Sequence, residues 1–301
     1  MITYVRGNIF ESPAHVLVNT VNTEGVMGKG IALRFKQIYP EMFREYRDLC
    51  ERHQLEIGRL HLYKTPRKWI LNFPTKKRWR QPSRVEYVQA GLETFKKIYA
   101  EAGIDSIAFP PLGCGNGQLD FPTQVKPLME KWLDPLPIPV FVYPERRLAG
   151  VPEHEDVENM RAWLRSEAES LPFDEVWRDV VEMVKSHGRF KTATKGREFE
   201  ATAEIEPPSI AFHAAGKTYK LSYEDLLDFW QQLRQHGLVS RRIAPEHFRV
   251  HYLMPIFEQL PYVQRIEVSD TEGNAGVALQ VRPRPARGTR VDYGDLLVPR
   301  V

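Results

Sequence analysis

Two asparagines at the end of an apolar run have a spacing that suggests chemistry. Val16-Leu17-Val18 has the character of a buried strand, and Asn19 and Asn22 follow it closely along the chain. Side-chain amides both donate and accept hydrogen bonds, so two of them at a strand end can hold a polar ligand. The pattern predicts a binding site at this strand end.

A glycine-rich loop follows these asparagines and precedes a helix. The loop is Gly25-Val26-Met27-Gly28-Lys29-Gly30, and Ile31-Ala32-Leu33-Arg34-Phe35 then has the apolar spacing of a helix. Glycines let backbone N–H groups approach an anion, and the positive dipole end of the helix favours a phosphate. The motifs of P-loop and dinucleotide sites are absent. We therefore predict a phosphate site of another kind, with an ordinary turn as the alternative.

A second strand with a glycine-rich loop supports the phosphate interpretation. Ile107-Ala108-Phe109 has the character of a buried strand, and Pro110-Pro111-Leu112-Gly113-Cys114-Gly115-Asn116-Gly117-Gln118-Leu119 follows it. In open α/β sheets, ligands bind outside the carboxyl ends of the strands. Two such loops predict one ligand held between them.

The third chemical feature is a basic segment at another strand end. A predicted strand over residues 68–73 leads into Pro74-Thr75-Lys76-Lys77-Arg78-Trp79-Arg80, with four cations and one indole. Cations with an interleaved aromatic ring suit a single-stranded nucleic acid, whose phosphates pair with the cations and whose bases stack on the ring. A solvated basic loop is the plainer alternative.

Alternating strands and helices must position these loops. Residues 1–9, 58–63, 68–73 and 138–143 have strand patterns, whereas residues 41–52, 83–102 and 124–133 have helical patterns. Such alternation predicts a three-layer α/β domain over residues 1–150.

Length and charge indicate a second domain with different partners. The chain has 301 residues and a net charge of +3. Residues 1–150 hold 22 Lys and Arg against 15 Asp and Glu, while residues 151–301 hold 20 against 24. We find no run of about 18 apolar residues that would span a membrane. The sequence starts directly in a strand pattern without a signal peptide, so we expect a cytoplasmic protein.

The second half predicts a smaller α+β domain over residues 151–301. It contains an acidic helical segment, an amphipathic helix ending at Gly188, a hairpin over residues 210–221 and a helix that follows Ser222. Strand patterns near the end of the chain make a winged-helix-like form conceivable. We find no catalytic constellation after residue 150. The two cysteines, Cys50 and Cys114, lack metal-ligand spacing, and we predict neither a metal nor a cofactor.

The segments VNTVNTEGVMGKGIALRF, NFPTKKRW and PPLGCGNGQLDF together resemble the macrodomain family, and within it the DarG-type antitoxins. The resemblance covers about residues 1–150 and implies an α/β/α domain with a central mixed sheet. It implies a DNA ADP-ribosyl glycohydrolase, which hydrolyses the N-glycosidic bond between ADP-ribose and thymidine bases in single-stranded DNA. It also implies that the second domain binds and neutralises a DarT-type ADP-ribosyltransferase toxin.

The resemblance implies a set of residues for each ligand. Asn8 replaces the aspartate that macrodomains commonly place near adenine, Asn22 would contact the distal ribose, and the two glycine loops would enclose the diphosphate. The predicted ADP-ribose contacts are Asn8, Ile9, Asn19, Asn22, Gly28, Gly30, Ile31, Ala32, Leu112, Gly113, Cys114, Gly115, Asn116 and Gly117. The predicted DNA contacts are Lys77, Arg78, Trp79 and Arg80.

Lys76 matches the catalytic lysine of the resembled family, and Lys77 is the second choice. A lysine with a lowered pKa can attack the anomeric carbon, whereas a charged lysine can support the departing base. The sequence leaves both roles open. A related macrodomain hydrolase that acts on protein carboxylates pairs its lysine with an aspartate in the second glycine loop. The present chain has Gly117 there, and Asp120 is predicted to cap the following helix.

Three alternatives follow from the same residues. The chain could be a non-catalytic reader of ADP-ribose, or a hydrolase of ADP-ribosyl esters on protein, which the glycine at position 117 disfavours. It could also be an α/β domain whose glycines are only structural, although this leaves three motifs at matching strand ends unexplained.

Overall fold

The computed structural model describes residues 1–145, 150–193, 195–241, 244–269 and 275–282. The chain forms two compact units, Met1–Met160 and Arg161–Val301. Within the described residues, no helix is both long enough and apolar enough to cross a membrane.

The described residues form both helices and strands. The helices are α1 Gly30–Ile38, α2 Pro40–Glu51, α3 Val85–Ile98, α4 Lys126–Leu133, α5 Val157–Ser166, α6 Phe173–His187, α7 Tyr223–His236 and α8 Val250–Phe257. The strands are β1 Ile2–Tyr4, β2 Val16–Val21, β3 His61–Tyr63, β4 Trp69–Pro74, β5 Ile107–Phe109, β6 Val140–Val142, β7 Arg189–Lys191, β8 Glu198–Ile205, β9 Pro208–Ala214, β10 Lys217–Ser222, β11 Leu238–Ser240, β12 Val263–Ser269 and β13 Ala275–Val281.

The first unit is built on a six-stranded sheet of order β1-β6-β5-β2-β4-β3. All neighbours are parallel except β3 and β4, so the sheet is mixed, as predicted. The parallel order places the carboxyl ends of β2, β4 and β5 side by side at one edge. The three sequence motifs follow these three strands, so the fold brings them to a common edge.

Two hydrophobic cores cover the faces of this sheet, because side chains alternate across a strand. Val16 and Val18 of β2 face the core that includes residues of α3 and α4. Leu17 and Val21 face the opposite core, which includes residues of α1 and α2. The helices therefore lie on both faces of the sheet, and the predicted three-layer arrangement is confirmed.

The boundary between the two units lies later than the sequence suggested. Residues 151–160, which we assigned to the second domain, belong to the first unit. The physical reason is their contact with the glycine loops. Lys29 Nζ donates a 3.1 Å hydrogen bond to Val151 O, and His154 Nε2 lies 2.8 Å from Gln118 Oε1. The change to an acidic, helical sequence pattern after residue 150 gave no indication of these contacts.

The second unit contains two antiparallel sheets, one of order β10-β9-β8-β7 and one of order β11-β13-β12. Helix α7 begins at a capping box between Ser222 and Asp225, and α6 ends before Gly188, which has a φ of 64°. These helix limits and the β9–β10 hairpin match the predictions. The winged-helix form does not describe this unit, because the unit has a four-stranded sheet in addition to the terminal hairpin. Strands β7 and β8 were missed in the sequence.

Candidate active site

A cavity of about 550 Å³ opens at the carboxyl edge of the first sheet. Its size is that of ordinary small-molecule sites, about 300–1,000 Å³. The residues lining it come from both glycine loops, from the start of the chain, from the end of β4 and from the segment after β6. They are Gly7, Asn8, Ile9, Phe10, Thr20, Val21, Asn22, Val26, Lys29, Gly30, Ile31, Ala32, Arg34, Thr75, Lys76, Pro110, Pro111, Gly113, Gly115, Asn116, Gly117, Tyr143, Glu145 and Glu153.

The Asn22 side chain shapes the first glycine loop. Its Oδ1 accepts hydrogen bonds from Glu24 N at 2.9 Å and Val26 N at 3.2 Å, and its Nδ2 donates to Val26 O at 2.7 Å. The Tyr46 hydroxyl donates to Asn22 O at 2.8 Å, with Asn22 Oδ1 3.2 Å away. The Asn22 amide therefore folds the loop as well as lining the cavity.

The start of α1 lies in the first glycine loop, where the sequence predicted a phosphate site. The helix begins at Gly30, whose φ is 58°, and the side chain of the N-cap residue Lys29 makes no capping hydrogen bond. The first N–H groups of a helix have no partners within it, and they carry the positive end of its dipole. Gly30, Ile31 and Ala32 line the cavity here, so these groups are positioned for an anion.

The second glycine loop forms the opposite wall of the cavity. Gly113 has a φ of 69° and its carbonyl accepts a 3.1 Å hydrogen bond from Leu119 N, which closes the loop. Gly113, Gly115, Asn116 and Gly117 line the cavity. An ideal Cβ at Gly30 would lie 3.2 Å from Asn116 Nδ2, so the two loops approach each other closely.

Gly117 has no room for any side chain. An added Cβ would lie 2.1 Å from Ser83 Oγ and 2.3 Å from Gly113 O. Ser83 N also donates a 3.0 Å hydrogen bond to Gly117 O, which holds the two segments together. An aspartate therefore cannot occupy position 117 in this backbone. Asp120 accepts from Thr123 N at 2.9 Å, as expected of a helix cap.

Lys76 lies in the cavity wall immediately after β4. Thr75 N and Lys76 N donate to Val21 O at 2.9 and 3.4 Å, which extends the pairing of β2 and β4 beyond the strands. Lys76 is only 6% exposed, and within the described residues its Nζ has no hydrogen-bond partner. Lys76 is one of the residues that line the cavity, so its side chain can meet a ligand there.

Glu153 is the nearest carboxylate to this amine, with its Oε2 3.5 Å from Lys76 Nζ. Burial lowers the pKa of Lys76, and the adjacent carboxylate opposes part of that shift. Burial raises the pKa of Glu153, opposed by Lys76 and Lys29. The two pKa values therefore move toward each other. Sequence reasoning missed Glu153, because no motif marks it and its segment was assigned to the second domain.

The basic segment divides into exposed and buried residues. Lys77 and Arg78 are exposed, as a DNA contact requires. Trp79 is 0% exposed, so the predicted base stacking on its indole is wrong. Arg80 lies 3.2 Å from the Glu24 carboxylate, and its side chain is 21% exposed. The indole is one of the largest fully buried side chains among the described residues, so it packs inside the protein.

Four predicted ADP-ribose contacts lie beside the cavity and do not line it. Asn19 is fully buried and donates a 2.8 Å hydrogen bond to Asn72 Oδ1 across the β2–β4 pair. Leu112 and Cys114 are buried in a hydrophobic core, and the Cys114 thiol donates to Leu112 O at 3.3 Å. Gly28 is buried within the first loop. The side chains of Asn19, Leu112 and Cys114 and the backbone of Gly28 lie behind the loops that form the wall.

Two predicted residues, Asn8 and Ile9, line the cavity at a short 3-10 turn near the start of the chain. Asn8 Oδ1 accepts a 3.2 Å hydrogen bond from Phe10 N, which caps a short 3-10 turn. A carbonyl oxygen has two lone pairs, so one more donor can approach. Ile9 is 6% exposed and lines the same region.

Comparison with known proteins gives a family match inside the first unit. The model of the Macro domain family matches residues 18–126. The matched residues lie within the first unit and include both glycine loops and Lys76.

The sequence is also similar to proteins named DNA ADP-ribosyl glycohydrolase. The protein of Thermus aquaticus is 48% identical over 148 residues, which are 48% of this chain and 41% of that protein. A solved structure, "Macrodomain of Thermus aquaticus DarG", is 48% identical in sequence and has a TM-score of 0.46. The match covers 48% of this chain and 99% of that structure. The protein of Mycobacterium tuberculosis is 42% identical over 171 residues, covering 55% of this chain and 48% of that protein.

A third relative joins two activities in its name. The "DNA ADP-ribosyl transferase-DNA ADP-ribosyl glycohydrolase fusion protein" of Thermosipho africanus is 36% identical over 161 residues, covering 47% of this chain and 41% of that protein. The chain thus spans less than half the length of each of these relatives.

Proposed function

We propose that the first unit is a DNA ADP-ribosyl glycohydrolase that removes ADP-ribose from thymidine bases. The observation that carries this proposal is Lys76, a lysine only 6% exposed, in the wall of a cavity that two glycine loops also line. The similarity to proteins named for this activity supports it. The protein hydrolyses the N-glycosidic bond between the distal ribose and the thymine base.

ADP-ribose would lie across the cavity from the 3-10 turn to the end of β4. The diphosphate is held between the N-terminus of α1 and the second glycine loop, where backbone N–H groups and a helix dipole meet it. Asn8 and Ile9 contact the adenine end. The distal ribose then lies near Asn22 and Lys76, which brings its anomeric carbon to the amine.

Lys76 supplies the chemistry in one of two protonation states. As a neutral amine it attacks the anomeric carbon, and as an ammonium ion it stabilises the negative charge that develops on the departing base. Burial favours the neutral amine, since it lowers the pKa of Lys76.

The exposed side chains of Lys77 and Arg78 bind the phosphates that flank the modified nucleotide. A single-stranded substrate presents its base without the energetic cost of unpairing.

The second unit would bind the ADP-ribosyltransferase toxin that creates this substrate. The name of the Thermosipho africanus relative joins transferase and glycohydrolase in one chain, which supports a working connection between them. The four acidic side chains in excess over residues 151–301 lie at positions 151–160, within the first unit, so residues 161–301 carry 20 basic and 20 acidic side chains and their net charge does not select the sign of the partner.

Incubation with a thymidine-ADP-ribosylated single-stranded oligonucleotide tests the activity directly. The parent chain should release free ADP-ribose, and the Lys76→Ala variant should release none while calorimetry shows ADP-ribose binding close to that of the parent. The Lys97→Ala variant removes the same charge from an exposed position on α3 and should behave as the parent. Absence of release by the parent, with binding intact, would identify a reader of ADP-ribose.

Binding of the toxin by the second unit is tested separately. The full chain should form a complex with the purified toxin, and a chain ending near residue 160 should not. Equal binding by both chains would place the toxin surface on the first unit.

Hydrolysis of ADP-ribosyl esters on protein is the second candidate function. Gly117 argued against it in the sequence, but the structure brings the Glu153 carboxylate to 3.5 Å from Lys76 Nζ. A lysine and a carboxylate are therefore both present. Glutamate-linked ADP-ribosyl peptide, offered at the same concentration as the oligonucleotide, should be cleaved more slowly if the DNA assignment is correct.

A further inference from the structure

A short segment after β6 carries a carboxylate into the cavity. Glu153 is 6% exposed, lines the cavity and lies 3.5 Å from Lys76 Nζ through its Oε2. Glu145 is the other acid among the lining residues, and it is exposed. Gly117 has no space for a side chain. Among the described residues, Glu153 is the acid that the fold places against the catalytic lysine.

Both glycine loops attach this segment to the cavity. Lys29, in the first loop, donates a 3.1 Å hydrogen bond from Nζ to Val151 O. Gln118, at the end of the second loop, lies 2.8 Å from His154 Nε2 through its Oε1 and donates from Nε2 to Glu155. The attachments lie on both sides of Glu153 in sequence. The carboxylate is therefore held beside the site in which the two loops would bind a diphosphate.

We propose that Glu153 is the proton-transfer partner of Lys76 in glycoside hydrolysis. This role rests on the activity proposed above and extends it to a residue outside the three sequence motifs. The carboxylate reaches the lysine from a later segment of the chain, in place of an acid within the second glycine loop.

The first half of the reaction begins with the ion pair. Glu153 takes a proton from the Lys76 ammonium, which leaves a neutral amine and a neutral carboxyl group. The amine lone pair attacks the anomeric carbon, and the bond from that carbon to the thymine nitrogen breaks with its electron pair going to the nitrogen. Glu153 then donates its proton to the departing base. The thymine is released neutral, and the ribose is bonded to a positively charged lysine nitrogen.

The second half restores both groups. Water attacks the anomeric carbon and gives a proton to the Glu153 carboxylate. The bond between carbon and lysine nitrogen breaks, and its electron pair returns to the nitrogen. Transfer of the proton from Glu153 to the neutral amine regenerates the ion pair. No oxidant, metal or further reactant is needed, and free ADP-ribose leaves the cavity.

The electrostatic surroundings favour this exchange. Burial raises the pKa of Glu153 and lowers that of Lys76, so the free-energy difference between the ionic and neutral pairs is reduced. The charge of Lys29 also lowers the pKa of Glu153. Burial and the charge of Lys76 lower the pKa of His154, and Glu155 opposes this shift. Burial raises the pKa of the Tyr46 hydroxyl, and the charge of Glu153 adds a smaller upward shift. A matched pair of groups inside the cavity is what proton transfer requires.

Replacement of the carboxylate by its amide tests the proposal. The Glu153→Gln variant keeps the shape and loses the proton acceptor, so the release rate from the modified oligonucleotide should fall about 10²-fold to 10⁴-fold. Binding of ADP-ribose, measured by calorimetry, should be equal to that of the parent or tighter. Glu158→Gln makes the same change at an exposed position of α5 and should keep the rate of the parent. Glu153→Asp should recover part of the lost rate.

The pH profile separates proton transfer from a merely structural role. In Glu153→Gln the amine must lose its proton to solvent, so the residual rate should rise with pH until Lys76 is neutral. The parent, with an internal acceptor, should lack this rise. A variant with the rate and pH profile of the parent, or one that has lost ADP-ribose binding, would overturn the inference. If the parent releases no ADP-ribose, the proposed function fails and the inference with it, whereas equal release by parent and variant overturns the inference alone.

Discussion

The Glu24 carboxylate joins the first glycine loop to the basic segment, since its Oε2 accepts a 3.0 Å hydrogen bond from the Trp79 backbone N–H. Its other oxygen lies 3.2 Å from the Arg80 guanidinium. Thr23 adds hydrogen bonds from N and Oγ1 to Lys77 O, at 3.2 and 2.8 Å. These contacts hold the turn that follows Lys76, so the position of the Lys76 side chain depends on a loop that follows a different strand.

Replacement of Glu24 should therefore reduce catalysis without touching the cavity. Glu24→Ala removes a hydrogen bond to a charged acceptor, which costs about 1.5–3 kcal/mol of stability. Displacement of Lys76 should lower the release rate by up to about 100-fold. Thermal unfolding and the oligonucleotide assay measure the two effects. Glu56→Ala, at an exposed position, is the control, and a variant with unchanged release would show that the turn keeps its shape without Glu24.

Two neighbouring glycines of the second loop should differ sharply in their tolerance of a methyl group. A Cβ at Gly117 would meet Ser83 Oγ at 2.1 Å and Gly113 O at 2.3 Å, whereas a Cβ at Gly115 has nothing within 4 Å. Gly117→Ala should destabilise the fold by about 1–3 kcal/mol through overpacking. Gly115→Ala should be close to neutral in chemical denaturation. Equal stability of the two variants would mean that the loop rearranges freely.

The exposed cations of the basic segment should contribute to DNA affinity in a salt-dependent way. The double variant Lys77→Ala/Arg78→Ala should bind a single-stranded oligonucleotide more weakly than the parent. The slope of log K against log salt should fall by about 0.7 for each phosphate that the variant no longer neutralises. Lys96→Ala/Lys97→Ala removes two exposed lysines from α3 and is the matched control. Identical salt slopes for both double variants would exclude a DNA contact by Lys77 and Arg78.

Trp79 should behave as a core residue and not as a nucleic-acid contact. Its side chain is 0% exposed. Trp79→Ala should therefore cost about 3–5 kcal/mol in the free energy of unfolding, as truncation of a large buried aromatic does. Equilibrium denaturation measures this cost. An unchanged free energy of unfolding combined with weaker oligonucleotide binding would instead restore the base-stacking role.

The ion pair of Lys76 and Glu153 should reduce stability while serving function. Burial is the largest influence on both pKa values, so both charges are costly in the folded state. The apolar double variant Lys76→Met/Glu153→Leu should be more stable than the parent by about 1–4 kcal/mol, and inactive. Chemical denaturation at neutral pH measures the gain. A less stable double variant would show that the pair contributes net stability.

The single variant Lys76→Met should show a defined pH dependence. Without the lysine, the pKa of the buried Glu153 rises further above that of the unfolded chain, because Lys76 lowers it in the parent. A group with a raised pKa in the folded state stabilises the fold below its unfolded pKa, and this contribution is lost as the pH rises through the folded pKa. The variant should therefore lose stability between mildly acidic and neutral pH, while Lys76→Met/Glu153→Leu should not. Parallel stability curves would contradict the predicted shift.

Much of the first unit was predictable because its signals are local. An apolar strand, a glycine loop and the start of a helix follow directly along the chain, and each reflects the conformational preferences of the residues present. The two glycine loops and Lys76 accordingly line the cavity as expected. The second unit was less predictable, since β8 pairs with β7 and β9 through contacts that a single strand pattern does not specify.

The sequence by itself determined where the glycine loops, the lysine and the exposed cations lie, because each depends on residue type and on its position at a strand end. Tertiary structure decided three further points. It buried the Trp79 indole, it left no space at Gly117, and it brought Glu153 to Lys76 from a segment after the last strand of the sheet. Burial and proximity between distant segments depend on how the elements pack, and local sequence patterns carry little information about that packing.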